Sequence, residues 1–332
     1  MAIRFSVIMP CYNSSAYVAT AVQSLINQTY PNWELIAVND GSKDDTLEIL
    51  TRFSAADERI KVFSKENGGY VSAVNFGLNW ISGDYFLMLG SDDRLANDLF
   101  SEIVDQIPKS IDLPDMVAFR AVKFRNEKFL ERDAISNFDS VASASDSSAA
   151  EFEEQYPKHA KILFVRDTAK CFKTSKLGNL RYFGKFGFDA DGVFSSLFAH
   201  KCRSFLSLPI DGYLWTIRKD SVSSTVNQRI NIDRLNVWIE YLTTVNHEKS
   251  LTLSKQEKSY IRFPFLLSAE ILSQRKKFSI FEIALSHKAL RLAIKIAKKQ
   301  YANLSDFQKI FDRNPIKRCF FLMFPCIWLK RH

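Results

Sequence analysis

The sequence predicts an α/β fold, a mostly parallel sheet flanked by helices with a helical region at the C-terminal end, and three observations predict it. Short apolar runs alternate with segments of helical period through the first 100 residues. The runs are nearly unbroken by polar residues, as expected of strands covered on both faces. Polar clusters stand where the runs end, which is where parallel sheets place their ligands.

The elements follow in order. "FSVIM" (5–9) ends at Pro10 and reads as a strand. Tyr17, Ala21 and Leu25, with Val18, Val22 and Ile26, recur at helical spacing behind Asn13 and Ser14, which suit a cap by residue type. "WELIAVN" (33–39) is a second strand, "DDTLEILTRFSA" (44–55) a second helix and "IKVFS" (60–64) a third strand. A helix over 70–81 and a fourth strand, "YFLML" (85–89), complete the series. Strand and helix alternating in this way build a parallel sheet from βαβ units. Three polar clusters, "PCYN" (10–13), "NDGS" (39–42) and "GSDD" (90–93), then converge on one crevice.

Beyond residue 110 the pattern weakens. "DMVAF" (115–119) and "VKFRN" (122–126) read as a hairpin, and 139–154 as a small-residue, acidic loop, either flexible or a lid. A mixed region follows to about 225, and from about 230 the pattern is helical, including 281–300 with its basic polar face. The expected division is 1–110, 111–228 and 229–332, with no internal repeat.

Composition narrows the classes. The 332 residues are 46% hydrophobic and 25% charged, ordinary for a soluble globular chain able to bury a core. Phe at 28 and Gly at 11 argue against fibrous or low-complexity architecture. The net charge of +8 suits an anionic partner without choosing one. Five scattered cysteines without a CxxC pair fit a reducing compartment and neither a zinc site nor a disulfide framework. The N-terminal apolar run is too short for a signal peptide, and no stretch is long and apolar enough to predict a membrane-spanning helix.

The absence of GxGxxG after the first strand and of GxxxxGK[ST] anywhere removes the usual dinucleotide and P-loop readings. Asp92 and Asp93 offer another way to hold a phosphate: hard oxygen ligands at a strand end bind Mg²⁺ or Mn²⁺, and the metal bridges to phosphate oxygens. Taken alone, the plainer reading of Asp92 is a helix cap before "RLANDLF" and of Asp93 a solvated charge. Asp40 can accept from the imide N–H of a base such as uracil, and the Tyr12 ring can stack on one; a turn Asp and a half-buried Tyr are the plainer readings.

Together these clusters resemble the family 2 glycosyltransferases, which have the Rossmann-like GT-A fold. The resemblance runs from residue 5 to about 100, through "FSVIMPCYNSSAYVATAVQSLINQTYPNWELIAVNDGSKDDT" and "SKENGGYVSAVNFGLNWISGDYFLMLGSDD". It implies transfer of a sugar, with inversion, from a nucleotide-diphosphate donor with a divalent metal. It puts Pro10, Tyr12 and Asp40 around the base, with Asn13 also on the donor, and Lys65 and Asn75 on the ribose and diphosphate side. Asp92 and Asp93 match the end of the family's DxD-type motif, as metal ligands, with Asp92 also on the ribose. Two departures stand out: Gly90 where the family often has Asp, and Val74 where it often has Arg.

Inverting transfer needs a base for the acceptor hydroxyl. The resemblance aligns Asp191, in "FGFDADGVFSSLFAHKC" (186–202), with the Asp of the family's "ED" pair, while Ala190 replaces the Glu. Asp189 is the rival, and both residues also suit a helix cap. In "PIDGYLWTIRKDSVSS" (209–224), Arg218 can meet a diphosphate or an acceptor phosphate through paired donors, or be structural. The five histidines show no metal-ligand spacing.

The stretch 314–332, an apolar run between basic flanks and broken by Pro325, fits either an interfacial anchor on an anionic membrane or a docked helix. The resemblance, with the charge, implies a glycan or polyprenyl-diphosphate-linked acceptor and a cytoplasmic protein, peripheral at the inner face of the membrane. The function expected is a metal-dependent (Mn²⁺ or Mg²⁺) transferase in O-antigen or capsule biosynthesis; the alternative is a catalytically silent nucleotide-sugar-binding scaffold, motivated by Gly90 and Ala190. No nucleic-acid partner is expected, because no recognised motif supports one.

Overall fold

Apolar residues at consecutive positions are all buried only if both faces of their strand are covered. In the computed structural model, which describes residues 2–107, 112–125, 128–185, 187, 189–218, 228–247, 253, 263–264, 267–268 and 280–300, this happens at the centre of the sheet. Strand β1 (Phe5–Cys11) lies between β2 (Trp33–Asp40) and β4 (Tyr85–Met88), parallel to both. Every residue of β2 is buried, and β3 (Ile60–Lys65) extends the sheet in parallel on its far side. Helices α1 (Val18–Ile26), α2 (Thr46–Ala56) and α3 (Tyr70–Gly77) make the crossovers.

Two details differ from expectation. Helix α1 is not capped by the side chains of Asn13 or Ser14: the Ser14 carbonyl accepts from the N–H groups of Tyr17 and Val18, both at 2.9 Å. Asn13, at φ 48°, instead receives the Lys43 N–H on its Oδ1 at 2.8 Å. Helix α3 ends at Gly77, short of residue 81. A Cβ at Gly77 would stand 2.7 Å from Ile8 Cγ2, so the glycine lets the helix end press against β1.

After β5 (Arg94–Leu95) and α4 (Leu99–Gln106), the expected hairpin over 115–126 is replaced by one long strand, β6 (Met116–Arg125). Arg120 interrupts the apolar run in sequence, yet it is buried, its guanidinium 2.7 Å from Asp211 and 3.2 Å from Asp139. Neutralised in this way, the charge need not mark a turn. The hairpin forms one strand later, between β6 and β7 (Lys128–Arg132). The expected loop at 139–154 contains β8 (Ala142–Ala144) and α5 (Ala149–Gln155). The helix starts with a capping box: Ser148 Oγ accepts from the Glu151 N–H, and Glu151 accepts from the Ser148 N–H.

Helix α6 (Pro157–Val165), β9 (Lys170–Lys173), α7 (Ala190–Ala199) and β10 (Phe205–Thr216) follow. The strand order is β3-β2-β1-β4-β9-β6-β10-β5, with β7 on β6 and β8 on β10. Strand β9 runs antiparallel to both β4 and β6, and β10 is parallel to β6. Hence β1, β2, β3, β4, β6 and β10 all point the same way, and their carboxyl ends form one edge.

The chain divides into two compact units, Met1–Thr225 and Val226–His332. In the second, α8 (Gln228–His247) packs on α9 (Ile280–Gln300), burying Leu235, Trp238 and Leu242 with Leu290, Ala293 and Ile296. Lys288, Arg291 and Lys295 lie on the exposed face of α9. The stretch 314–332 lies outside the described residues. Among the described residues no helix is long and apolar enough to cross a membrane.

Candidate active site

At the carboxyl edge, β4 runs into the 90–93 turn, closed by the Asp93 N–H on the Gly90 carbonyl at 3.0 Å. Neighbouring side chains of a turn diverge, and the two carboxylates part company here. Asp93 points inward and is buried. Its Oδ2 accepts from the Tyr213 hydroxyl at 2.7 Å and its Oδ1 from the Thr216 N–H at 2.8 Å, while the same hydroxyl accepts from the Gly90 N–H at 3.1 Å. Strand β10 is thereby tied to the turn. Burial, with Asp92 next to it, pushes the Asp93 carboxyl up to about 7.

Asp92 is partly exposed and forms an ion pair with Arg218, whose guanidinium lies over the Tyr17 ring, 4.6 Å from its centroid. The repulsion between adjacent aspartates is thus met by burying one among donors and pairing the other. Gly90 has a steric reason: a Cβ there would sit 2.6 Å from Asp93 Oδ2 and 3.0 Å from Asp92 Oδ1. A further side chain would displace a carboxylate that Tyr213 holds.

Asp40, at the end of β2, is buried. Its Oδ1 accepts from Lys65 Nζ at 2.7 Å and the Gly68 N–H at 3.0 Å, and its Oδ2 accepts from the Gly69 N–H at 2.8 Å. One carboxylate therefore closes the 65–69 loop, leaving acceptor capacity chiefly on Oδ2. Gly69 has φ 86°, and a Cβ there would meet the Lys185 carbonyl at 2.7 Å. Tyr12 is 51% exposed, its ring open to a ligand. Pro10 stands two residues past Ile8, whose carbonyl receives the Leu89 N–H as the last link to β4; its missing N–H costs no ladder bond there. The Asn75 amide is used in both directions on the Tyr182 backbone, donating to its carbonyl at 3.0 Å and accepting its N–H at 2.9 Å. Asn75 therefore pins the 182 segment to α3 instead of presenting its amide to the crevice.

Asp189 precedes α7 with φ 63° and makes no side-chain cap bond. Asp191, in the first turn, accepts from the Gly192 N–H at 2.7 Å. A Cβ on Gly192 would stand 2.8 Å from the Val165 carbonyl, so α7 lies directly on α6. Ala190 is fully buried; a glutamate in its place would bury a charge. Burial and nearby Asp167 push the Asp191 carboxyl up to about 7. Asp167, itself buried, accepts from the hydroxyls of Tyr182 at 2.7 Å and Tyr70 at 3.1 Å. Tyr70, with burial, feels the carboxylates of Asp167, Asp191 and Asp93, which raise its hydroxyl well above the ordinary value.

The sequence reading missed Tyr213, Thr216 and Tyr17 as partners of the aspartate pair, and Asp167 and Lys170 behind α7. Tyr213 and Thr216 lie in the aromatic segment before Arg218, so that segment carried a signal. Asp167 and Lys170 belong to no motif. Among the described residues no group of three or more His, Cys, Asp or Glu side chains could hold a metal. A divalent cation fits the 90–93 turn only if a ligand's oxygens complete the coordination begun by Asp92 and Asp93, as Mg²⁺-type sites with one or two carboxylates do.

Comparison with known proteins points to one family and one fold. The family profile described as Glycosyl transferase family 2 matches residues 6–173. An uncharacterized glycosyltransferase of Haemophilus influenzae is 37% identical over 123 residues, 37% of this chain and 38% of that protein. Glycosyltransferase GlyA of Streptococcus pneumoniae is 42% identical over 106 residues, 31% of this chain and 15% of that protein. The matches thus span well under half the length of these relatives. Among solved structures, S. aureus TarS 1–349 in complex with UDP-GlcNAc superposes with a TM-score of 0.55 at 17% identity, over 91% of this chain and 93% of that one. Mannosyltransferase PcManGT from Pyrobaculum calidifontis, in complex with GDP-Man and Mn²⁺, does so with a TM-score of 0.53 at 13% identity, over 97% and 84%. These two likenesses establish the GT-A fold.

Proposed function

The chain belongs to glycosyl transferase family 2, and from that premise we propose that it is an inverting, metal-dependent glycosyltransferase. The donor is a nucleotide-diphosphate sugar, specifically a UDP-sugar, and the acceptor is a hydroxyl of a glycan carried on a lipid diphosphate, in surface polysaccharide (O-antigen or capsule) biosynthesis. The observation that carries this reading is the meeting of the Asp92–Asp93 turn and Arg218 at the carboxyl edge of the parallel strands. The bound UDP-GlcNAc of TarS and GDP-Man of PcManGT support the donor class.

The Tyr12 ring stacks on the base, Pro10 and Asn13 shape the rim around it, and Asp40 Oδ2 accepts its imide N–H. Lys65 and Arg218 face the diphosphate as cations, and Asn75 serves by fixing Tyr182. Asp92 and Asp93 would hold Mn²⁺ or Mg²⁺, which would supply Lewis-acid neutralisation of the leaving diphosphate. Asp191 accepts the acceptor hydroxyl's proton as that oxygen attacks the anomeric carbon from the face opposite the diphosphate; the bond to the diphosphate breaks and the nucleotide leaves. A base whose pKa lies near neutrality suits that transfer. A lipid-linked acceptor implies peripheral association with the inner face of the cell membrane, supported by the exposed Lys288, Arg291 and Lys295.

A screen of nucleotide sugars with Mn²⁺ against a lipid-diphosphate acceptor tests the reading. Transfer from one donor with release of its nucleotide is expected. UDP binding without transfer or hydrolysis of any donor would overturn it in favour of a silent nucleotide-sugar-binding scaffold.

A further inference from the structure

Behind the proposed base lies a polar cluster that no step above uses. Lys170, in the middle of the sheet on β9, is wholly buried, as is most of Asp167 three residues earlier. An ammonium in such a place costs more than an apolar side chain of the same size, so packing alone does not account for it. Its Nζ donates to Ser195 Oγ at 3.3 Å, and that hydroxyl donates to the Arg166 carbonyl at 2.6 Å. Ser195 is four residues after Asp191 on α7, hence on the same helix face one turn away. Lys170 therefore reaches the side of α7 that carries the base. Tyr182, which bonds Asp167, also stacks on Phe194 of α7, ring centroids 4.1 Å apart and planes 12° apart.

Resting on the functional reading above, we propose that Lys170 and Asp167 are positioning residues for Asp191. They form a buried pair of opposite charges, held by Tyr70, Tyr182 and Ser195, that governs how readily the base carries its negative charge. Among the described residues, the ionisable groups that act on Asp191 or feel its charge include Asp167, Asp189, Lys170, Arg166, Tyr70 and Tyr182. Arg166, engaged by Asp133 at 3.1 Å, also favours the charged form of Asp191, and Lys170 is the buried cation that feels both Asp167 and Asp191. Burial drives the lysine down to about 7 against the pull of Asp167 and Asp191. The same burial and Asp167 raise Asp191 to about 7. Around neutral pH the cluster thus sits where one proton changes its state.

The signs are opposite for the two partners. Lys170→Met removes the favourable charge and moves the acid limb of the kcat/KM–pH profile up by about one unit, whereas Asp167→Asn removes the repelling charge and moves it down by about one unit. Ser195→Ala keeps both charges and moves it less. The same shifts are read without donor or acceptor from the ¹³C resonance of the Asp191 carboxyl in the full chain, assigned by its loss in Asp191→Asn. That readout separates failure of this inference from failure of the transferase reading. An Asp191 resonance that titrates at the same pH in wild type and Asp167→Asn, or that moves the same way in both charge variants, overturns the proposal. Asp167→Asn is isosteric and decides the matter by itself if Lys170→Met does not fold.

Discussion

Glu34, buried in β2, and Asp191, partly buried on α7, are both carboxylates shielded from water, and they end on opposite sides of the ordinary range. Glu34 accepts from Ser6 Oγ at 2.6 Å, the Ser82 N–H at 2.9 Å, Ser82 Oγ at 2.7 Å and Lys61 Nζ at 2.7 Å. Burial pushes it up, but these donors together hold it down at about 2. Asp44 behaves alike, held at about 2 by Thr46 and Ser15 against its own desolvation. Asp191 has one backbone donor and a carboxylate for a neighbour, and rises to about 7. Donors in direct contact fix a charge; burial beside a like charge leaves it negotiable. Glu34 and Asp44, on the side of the sheet proposed to bind the donor, are fixed charges, and Asp191, the proposed base, is not.

The largest way to sharpen this contrast is to remove the fixed charge. Because the folded-state value of Glu34 lies below its ordinary 4.5, its contribution is present above pH 4.5 and lost as pH falls through about 2. The shift corresponds to about 3 kcal/mol. Urea unfolding of Glu34→Gln should show a loss of that order at pH 7 and converge with wild type near pH 2. Asp191→Asn should do the reverse. Its wild-type value is raised from 3.8, so its stabilising part is present below pH 3.8 and lost as pH rises through 7. The variant should therefore match wild type at pH 4 and exceed it at pH 8; parallel pH curves for the two variants would break the comparison.

Asp93 lies at the seam between the halves: it has two donors, yet rises. Tyr213→Phe removes one of them and strands the Gly90 N–H, so a loss of about 1–3 kcal/mol is expected in urea unfolding, with weaker UDP binding in the presence of Mn²⁺. The smallest effect is expected far from both sites. Ser148→Ala removes the capping box of α5 and should cost about 1 kcal/mol, with nucleotide affinity unchanged by titration calorimetry.

The donor-side strands were legible because burial on both faces leaves short apolar runs, and alternation with segments of helical period marks these runs as strands, as in β2. The β6 hairpin was misread because Arg120 looks like a solvent-exposed break, and only Asp211 and Asp139, distant in sequence, make its burial tolerable. The start of α5 was missed although "SAAE" carries the Ser-to-Glu spacing of a capping box. The aspartate pair was visible as a motif, but its inward and outward halves were not, because Tyr213 and Arg218 reach it across the sheet from more than a hundred residues away. Lys170 gave no sign at all: in "KCFK" a lysine reads as a surface residue.

The most direct test compares wild type with Asp191→Asn for sugar transfer in the presence of Mn²⁺, alongside UDP affinity on the same preparations. Loss of transfer by a factor on the order of 1,000 with UDP binding intact is the predicted result. Near-normal transfer by the variant would contradict it and move the base to Asp189.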